Sequence, residues 1–134
     1  MRRVFADSLY WIALSHQGDQ WHEAAMRASR ALVGVEIVTT QEMLVEFLTA
    51  FRYTSQFRRL AARRVAQIMA DRRILVVCQS DNSFQAGLAL YQARPDKAYS
   101  LADCISMATM RREGIKEVLT HDGHFVQEGF TILL

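Results

Sequence analysis

Four acidic residues, Asp7, Glu46, Asp103 and Asp122, stand at the ends or edges of apolar runs in this chain. A carboxylate beside apolar surface is costly unless something pairs with it. Asp7 follows Arg3-Val4-Phe5-Ala6. Glu46 shares a helical stripe with Met43 and Ala50, at the edge of a face made by Met43, Leu44, Phe47, Leu48 and Phe51. Asp103 lies in the first turn of a helical pattern that opens at Ser100 and ends at Gly114. Asp122 follows the short run Glu117-Val118-Leu119-Thr120. Like charges brought together need protons or cations to neutralise them. An all-oxygen donor set selects hard cations such as magnesium or manganese. Such ions activate a water and stabilise the leaving oxygen of a phosphodiester. The chemistry these acids suit is therefore hydrolysis of a nucleic-acid backbone without a protein nucleophile.

The elements that must position the acids alternate. Strands are expected at residues 3–6, 35–38, 74–78, 117–120 and 130–134. Helical patterns fall between them: a turn or two at 9–14, helices at 21–32 and from Thr54 or Ser55 through Met69, and one at 83–94 ended by Pro95. Thr39 is expected to cap the helix that carries Glu46, with Glu42 as its reciprocal partner, and Ser100 caps the helix that carries Asp103. Short unbroken apolar strands separated by helices predict an α/β fold, a parallel sheet covered on both faces with right-handed crossovers. Ligands bind such sheets beyond the carboxyl ends of the strands, where the strand order reverses. With the order 3-2-1-4-5, strands one and four are neighbours there. Asp7 and Asp122 then face one crevice, and Asp103 and Glu46 approach it on the adjoining helices.

The chain has 134 residues, enough for one domain over residues 1–134 with a real core. At 51% hydrophobic and 22% charged it has the composition of an ordinary globular protein. No apolar stretch is long enough to span a bilayer. Arg2 and Arg3 precede an apolar run, but Asp7 interrupts it and no small-residue cleavage site follows, so no signal peptide is expected. Cys78 and Cys104 lie in apolar surroundings without a C-x-x-C spacing, and are expected as buried thiols in a reducing cytoplasm. Net charge is only +2, yet 14 of the 16 basic residues are arginine. Arg52, Arg58, Arg59, Arg63, Arg64, Arg72 and Arg73 cluster, and guanidinium grips phosphate bidentately. Two readings of that cluster stay open, an RNA or DNA footprint and a solvated helix face. No G-x-G-x-x-G, G-K-[ST] or nucleophile elbow is present.

The segments Phe5-Ala6-Asp7-Ser8, Met43-Leu44-Val45-Glu46, Ser100-Leu101-Ala102-Asp103 and Leu119-Thr120-His121-Asp122 with Phe125 resemble, in order, the four acidic motifs of PIN domains. The resemblance covers the whole chain and is nearest to VapC-type toxin ribonucleases of toxin–antitoxin pairs. The approach Asp96-x-x-x-Ser100-x-x-Asp103 is also similar to that subgroup. The resemblance implies a three-layer α/β/α sandwich around a mostly parallel five-stranded sheet. It further implies a Mg2+- or Mn2+-dependent endoribonuclease that is a cytoplasmic homodimer and is blocked by a small antitoxin. Asp7, Glu46, Asp103 and Asp122 would be the catalytic acids, with Asp7, Asp103 and Asp122 as metal ligands. Asp96, Ser8 and Thr120 would be auxiliary, and Arg63 and Arg64 are candidate RNA contacts. Met43 departs from the family pattern, which commonly has a β-branched residue there.

Each acid also has a plain reading. Asp103 completes a capping box, Asp7 caps the helix after strand one, Asp122-Gly123 is an ordinary turn, and Glu46 is a solvent-edge residue. His121 and His124 read as surface-turn histidines, since H-x-x-H alone is not a zinc signature. Trp11, Trp21 and Tyr10 fit core spacing better than a base-stacking platform. The alternatives to the nuclease are two. A phosphatase working through an aspartyl phosphate would want an acid two residues after Asp7, where Leu9 stands. A non-catalytic or differently specialised nucleic-acid-binding module would use the arginines instead.

Overall fold

The computed structural model describes residues 1–134. Along the chain run β1 (Arg3–Ala6), α1 (Ser8–Ser15), α2 (His22–Ala31), β2 (Glu36–Thr40), α3 (Gln41–Ala50), α4 (Ser55–Ala70), β3 (Ile74–Val77), α5 (Asp81–Ala93), α6 (Leu101–Glu113), β4 (Glu117–Leu119), α7 (His124–Gln127) and β5 (Thr131–Ile132). The strands form one sheet in the order β3-β2-β1-β4-β5, and every pairing is parallel. The expected order and the all-parallel sheet are both present.

Successive residues of a strand point to opposite faces, and this splits the core in two. Val4, Ala6 and Leu119 join Tyr10, Trp11, Leu44, Phe47 and Phe51 on the face covered by α1 to α4. Phe5, Val38 and Val118 join Cys104, Met107, Met110 and Phe125 on the face covered by α6 and α7. Helix α3 serves both faces, sending Met43 to one cluster and Leu44 and Phe47 to the other. Helix α6 ends on Gly114, whose φ of 69° makes the left-handed cap that glycine adopts at little steric cost. Helix α5 packs against α6 at Gly87. A Cβ there would collide with Ile105 Cγ1 and stand 3.0 Å from the Ile105 backbone nitrogen.

Several expectations are corrected. The residues after Asp122 form the short helix α7 rather than a turn, because Phe125 is fully buried and the backbone closes local bonds around it. The helix cap is Thr40, one residue later than expected, with its hydroxyl accepting from Met43 N at 3.2 Å. Thr39 is instead a buried strand residue that donates to Ala6 O at 2.8 Å and accepts from Trp11 Nε1 at 3.3 Å. The run 74–78 suggests a strand covered on both faces and a buried Cys78. Strand β3 is the sheet edge, and α5 packs on α6 rather than over it, so Leu75 is 43% exposed and Cys78 is exposed. Cys104 is buried as expected. No helix is long and apolar enough to cross a membrane.

Candidate active site

The register that pairs Ala6 with Leu119 sets the next two residues, Asp7 and Thr120, side by side beyond the strand ends. Thr120 Oγ1 donates to Asp7 Oδ2 at 2.8 Å and accepts from Asp122 N at 3.1 Å, so one hydroxyl holds both strand-end acids. Asp7 occupies the N-cap position of α1 but makes no side-chain cap bond. Its carboxylate is turned to the site, which removes the plain reading of this residue. Asp103 serves two ends: Ser100 and Asp103 exchange hydrogen bonds at 3.1 and 3.0 Å in a capping box, and Asp103 still lines the cleft. Asp122 accepts from His124 N at 2.9 Å, which starts α7. Glu46 reaches the site from α3, with Ser8 Oγ donating to its Oε1 at 3.0 Å.

The four acids line one open cleft of about 460 Å³, with Ser8, Thr49, Ser100 and Arg52. Their surroundings disfavour the charged forms. Burial, aided by the charges of Asp103 and Glu46, outweighs the Thr120 hydrogen bond and pushes Asp7 up to about 7. Burial raises Glu46, and Asp103 adds to it; burial likewise raises Asp103, with Asp122 adding its charge. Unneutralised carboxylates in such mutual reach mark a site built for a cation or for shared protons.

A divalent metal fits these residues. One ligand atom each from Asp103, Asp122 and His124 lie within 4.8 Å of one another. His124 Nδ1 is buried with no hydrogen-bond partner, and its 3.4 Å approach to Asp122 Oδ1 lies within ion-pair reach but is not aligned for a hydrogen bond. The sequence reading of His124 as a surface-turn residue is therefore corrected. The signal for it is its position two residues beyond Asp122, in a segment that begins with His121. His121 itself does not reach the acids. Its ring stacks on Trp21 at 4.4 Å and 6°, bracing the segment between β4 and α7.

Three other expected residues lie elsewhere. Asp96 is 73% exposed and faces Lys97 at 3.9 Å, outside the cleft. Arg63 is exposed on α4. Arg64 donates to Ser15 Oγ at 3.1 Å and lines a separate cavity of about 240 Å³ near the opposite ends of β2 and β3. Arg52 is the arginine of that cluster that lines the same cleft as the acids.

A parallel sheet with acids gathered where its strand order reverses has its ligand crevice there, lined by oxygen donors that suit a hard cation. The PIN domain family matches residues 4–129, and the chain belongs to that family. It is 30% identical over 129 residues to the 23S rRNA-specific endonuclease VapC20 of Mycobacterium tuberculosis, covering 95% of each chain. The crystal structure of that protein, described as a sarcin-ricin loop cleaving toxin, superposes with a TM-score of 0.85, 24% identity over the superposition and 96% coverage of both chains. The fold is also similar to that in VapBC2 of Rickettsia felis bound to a promoter DNA fragment, with a TM-score of 0.72, 8% identity and coverage of 97% and 96%. A third similar structure, FitAcB from Neisseria gonorrhoeae, gives a TM-score of 0.64, with 16% identity and coverage of 98% and 96%.

Proposed function

We propose that this chain, as one PIN domain, is a metal-dependent endoribonuclease that hydrolyses RNA phosphodiester bonds, and that it is the toxin of a toxin–antitoxin pair. The observation that carries the reading is the convergence of Asp7, Glu46, Asp103 and Asp122 on one cleft, with a fully buried Asp7 displaced to about 7. Asp7, Asp103 and Asp122 would hold Mg2+ or Mn2+, with His124 Nδ1 beside them. When bound, the metal activates water and neutralises charge on the phosphate.

The chain's own groups supply the rest. Thr120 orients Asp7, the Ser100 N–H orients Asp103, and the His124 N–H orients Asp122. Glu46 has Oε1 held by Ser8 and Oε2 free, the arrangement a general base needs to accept a proton from the attacking water. The relationship to an endonuclease that acts on 23S rRNA supports structured ribosomal RNA as the substrate class. A small antitoxin partner, a homodimer and a cytoplasmic location are what the kinship with VapC-type toxins implies.

The test is cleavage of bacterial ribosomal RNA by protein freed of any co-purifying partner, with magnesium, with manganese and with chelator, beside Asp7→Ala and Asp103→Ala. Cutting that needs metal and both acids is expected. Folded wild type that leaves all RNA intact in either metal overturns the reading.

A further inference from the structure

A cleft built of four acids repels the polyanion it must admit. Metal offsets part of that repulsion, and the remainder calls for a cation at the rim. Arg52 is the only Arg or Lys side chain that lines the cleft. It stands where α3 ends and the turn to α4 begins, on the same wall as Glu46 and Thr49. A guanidinium beside four carboxylates would be expected to pair with one of them, yet Arg52 makes no ion pair.

Its neighbours are neutral instead. Nη1 donates to the Thr49 carbonyl at 2.7 Å, and Nη2 donates to the Tyr53 hydroxyl. The guanidinium carbon lies 4.1 Å from the Tyr53 ring centroid. These contacts fix the side chain without consuming its charge. Arg2, Arg3, Arg73, Arg94 and Arg111 differ: each is committed to a carboxylate at 3.2 Å or less. A guanidinium has five N–H donors, so Arg52 keeps an edge free to face the cleft.

We propose that Arg52 is a substrate-binding residue of this cleft, its free N–H edge taking a non-bridging oxygen of an RNA phosphate that adjoins the one being cut. The assignment rests on the ribonuclease reading. It places the chain flanking the scissile bond over the C-terminal end of α3, with Tyr53 beneath the guanidinium as a stiffening plate. It also separates Arg52 from Arg63, which shares the same basic region but lies outside the cleft.

The experiment compares wild type, Arg52→Ala, Arg52→Lys and Arg63→Ala on bacterial ribosomal RNA in magnesium, across a potassium chloride series, with thermal melts to verify folding. Arg52→Ala is expected to lower kcat/KM roughly ten- to hundred-fold, chiefly through KM. Its salt slope should flatten by about 1. Arg52→Lys should recover the slope but not the full affinity, since an ammonium cannot form the fork. Arg63→Ala should change kcat/KM less than about threefold, as a surface charge does. If wild type cuts and folded Arg52→Ala cuts with the same KM and salt slope, the assignment is wrong and the nuclease reading stands. Equal losses in Arg52→Ala and Arg63→Ala also overturn it, because the effect is then a diffuse field. If wild type cuts nothing, the nuclease reading fails and the assignment falls with it.

Discussion

Asp7 and Glu128 are both carboxylates withdrawn from water, and they sit in opposite surroundings. Asp7 is 2% exposed and the Glu128 side chain 4%. Asp7 has one neutral side-chain donor, Thr120, and faces other acids. Glu128 receives Arg94 and Arg111, each at 3.0 Å, and Tyr99 OH at 2.8 Å. Burial pushes both upward. At Asp7 the neighbouring charges push the same way, to about 7. At Glu128 hydrogen bonds from Tyr99, Arg111 and Arg94 overcome the burial and hold the group at about 2. What a buried acid does is therefore decided by what faces it. Glu128 ties the end of α7 to α5 and α6. The cleft acids leave their charge uncompensated.

The sharpest way to break this contrast is Asp7→Asn. If Asp7 is the metal-binding acid proposed above, cleavage should fall by about a hundred- to thousandfold. Stability should move the other way. Asp7 is raised in the folded state, so its contribution favours folding below the unfolded value and is lost as pH rises through the folded value. Metal-free wild type should lose about 4 kcal/mol of urea stability from this group between about pH 4 and pH 7. Asp7→Asn should lack that loss, and saturating magnesium should reduce it in wild type. A metal-free wild type without this descending limb would refute the burial argument.

Glu128→Gln tests the other half. It should cost about 2 kcal/mol in urea denaturation, below the figure for a fully buried pair because Arg94 and Arg111 are partly in water. Glu128 is lowered in the folded state, so its stabilisation is present above the unfolded carboxylate range and is lost as pH falls towards about 2. Cleavage at temperatures where the variant is folded should be retained.

Thr120→Val keeps the shape and removes the hydroxyl shared by Asp7 and Asp122. A loss of roughly tenfold in kcat is expected for one misoriented acid pair. The acid limb of the pH–rate profile should also move to higher pH, since the lost hydrogen bond was lowering Asp7. An unmoved limb would mean that Thr120 only fills space. Tyr99→Phe is the mildest change. It removes one of three donors to Glu128 and should cost about 1 kcal/mol in thermal or urea melts, with cleavage unaffected.

Much of this was legible in the chain. The runs at Val4-Phe5-Ala6 and Val118-Leu119 are apolar on both faces, which a central parallel strand requires. Their C-terminal ends then placed Asp7 and Asp122 together. Ser100 and Asp103 announced a helix start, and the same spacing delivered an acid to the cleft. What escaped depended on packing across the fold. The edge place of β3 was expected, but not that α5 would pack on α6 through the gap at Gly87 instead of over β3, which leaves Cys78 exposed. Thr39 and Thr40 offer identical chemistry to a local reading. The bond from Thr39 to Ala6 O, on another strand, decides which one caps. The arginines differ only in direction: Arg64 turns towards α1, and Arg52 turns to the cleft. The pairing of Trp21 with His121 joins residues a hundred positions apart.

That separation in sequence has a consequence for the nascent chain. The acids are gathered from positions 7, 46, 103 and 122, and β1 sits between β2 and β4. A ribosome-bound chain truncated before β4 lacks both the partner of β1 on that side and the hydroxyl that aligns Asp7. Such non-local pairing forms late in folding. The cleft is consequently complete only once residue 122 has been made and β4 has docked on β1, so a chain that stops short of β4 carries the first acids without the centre they form.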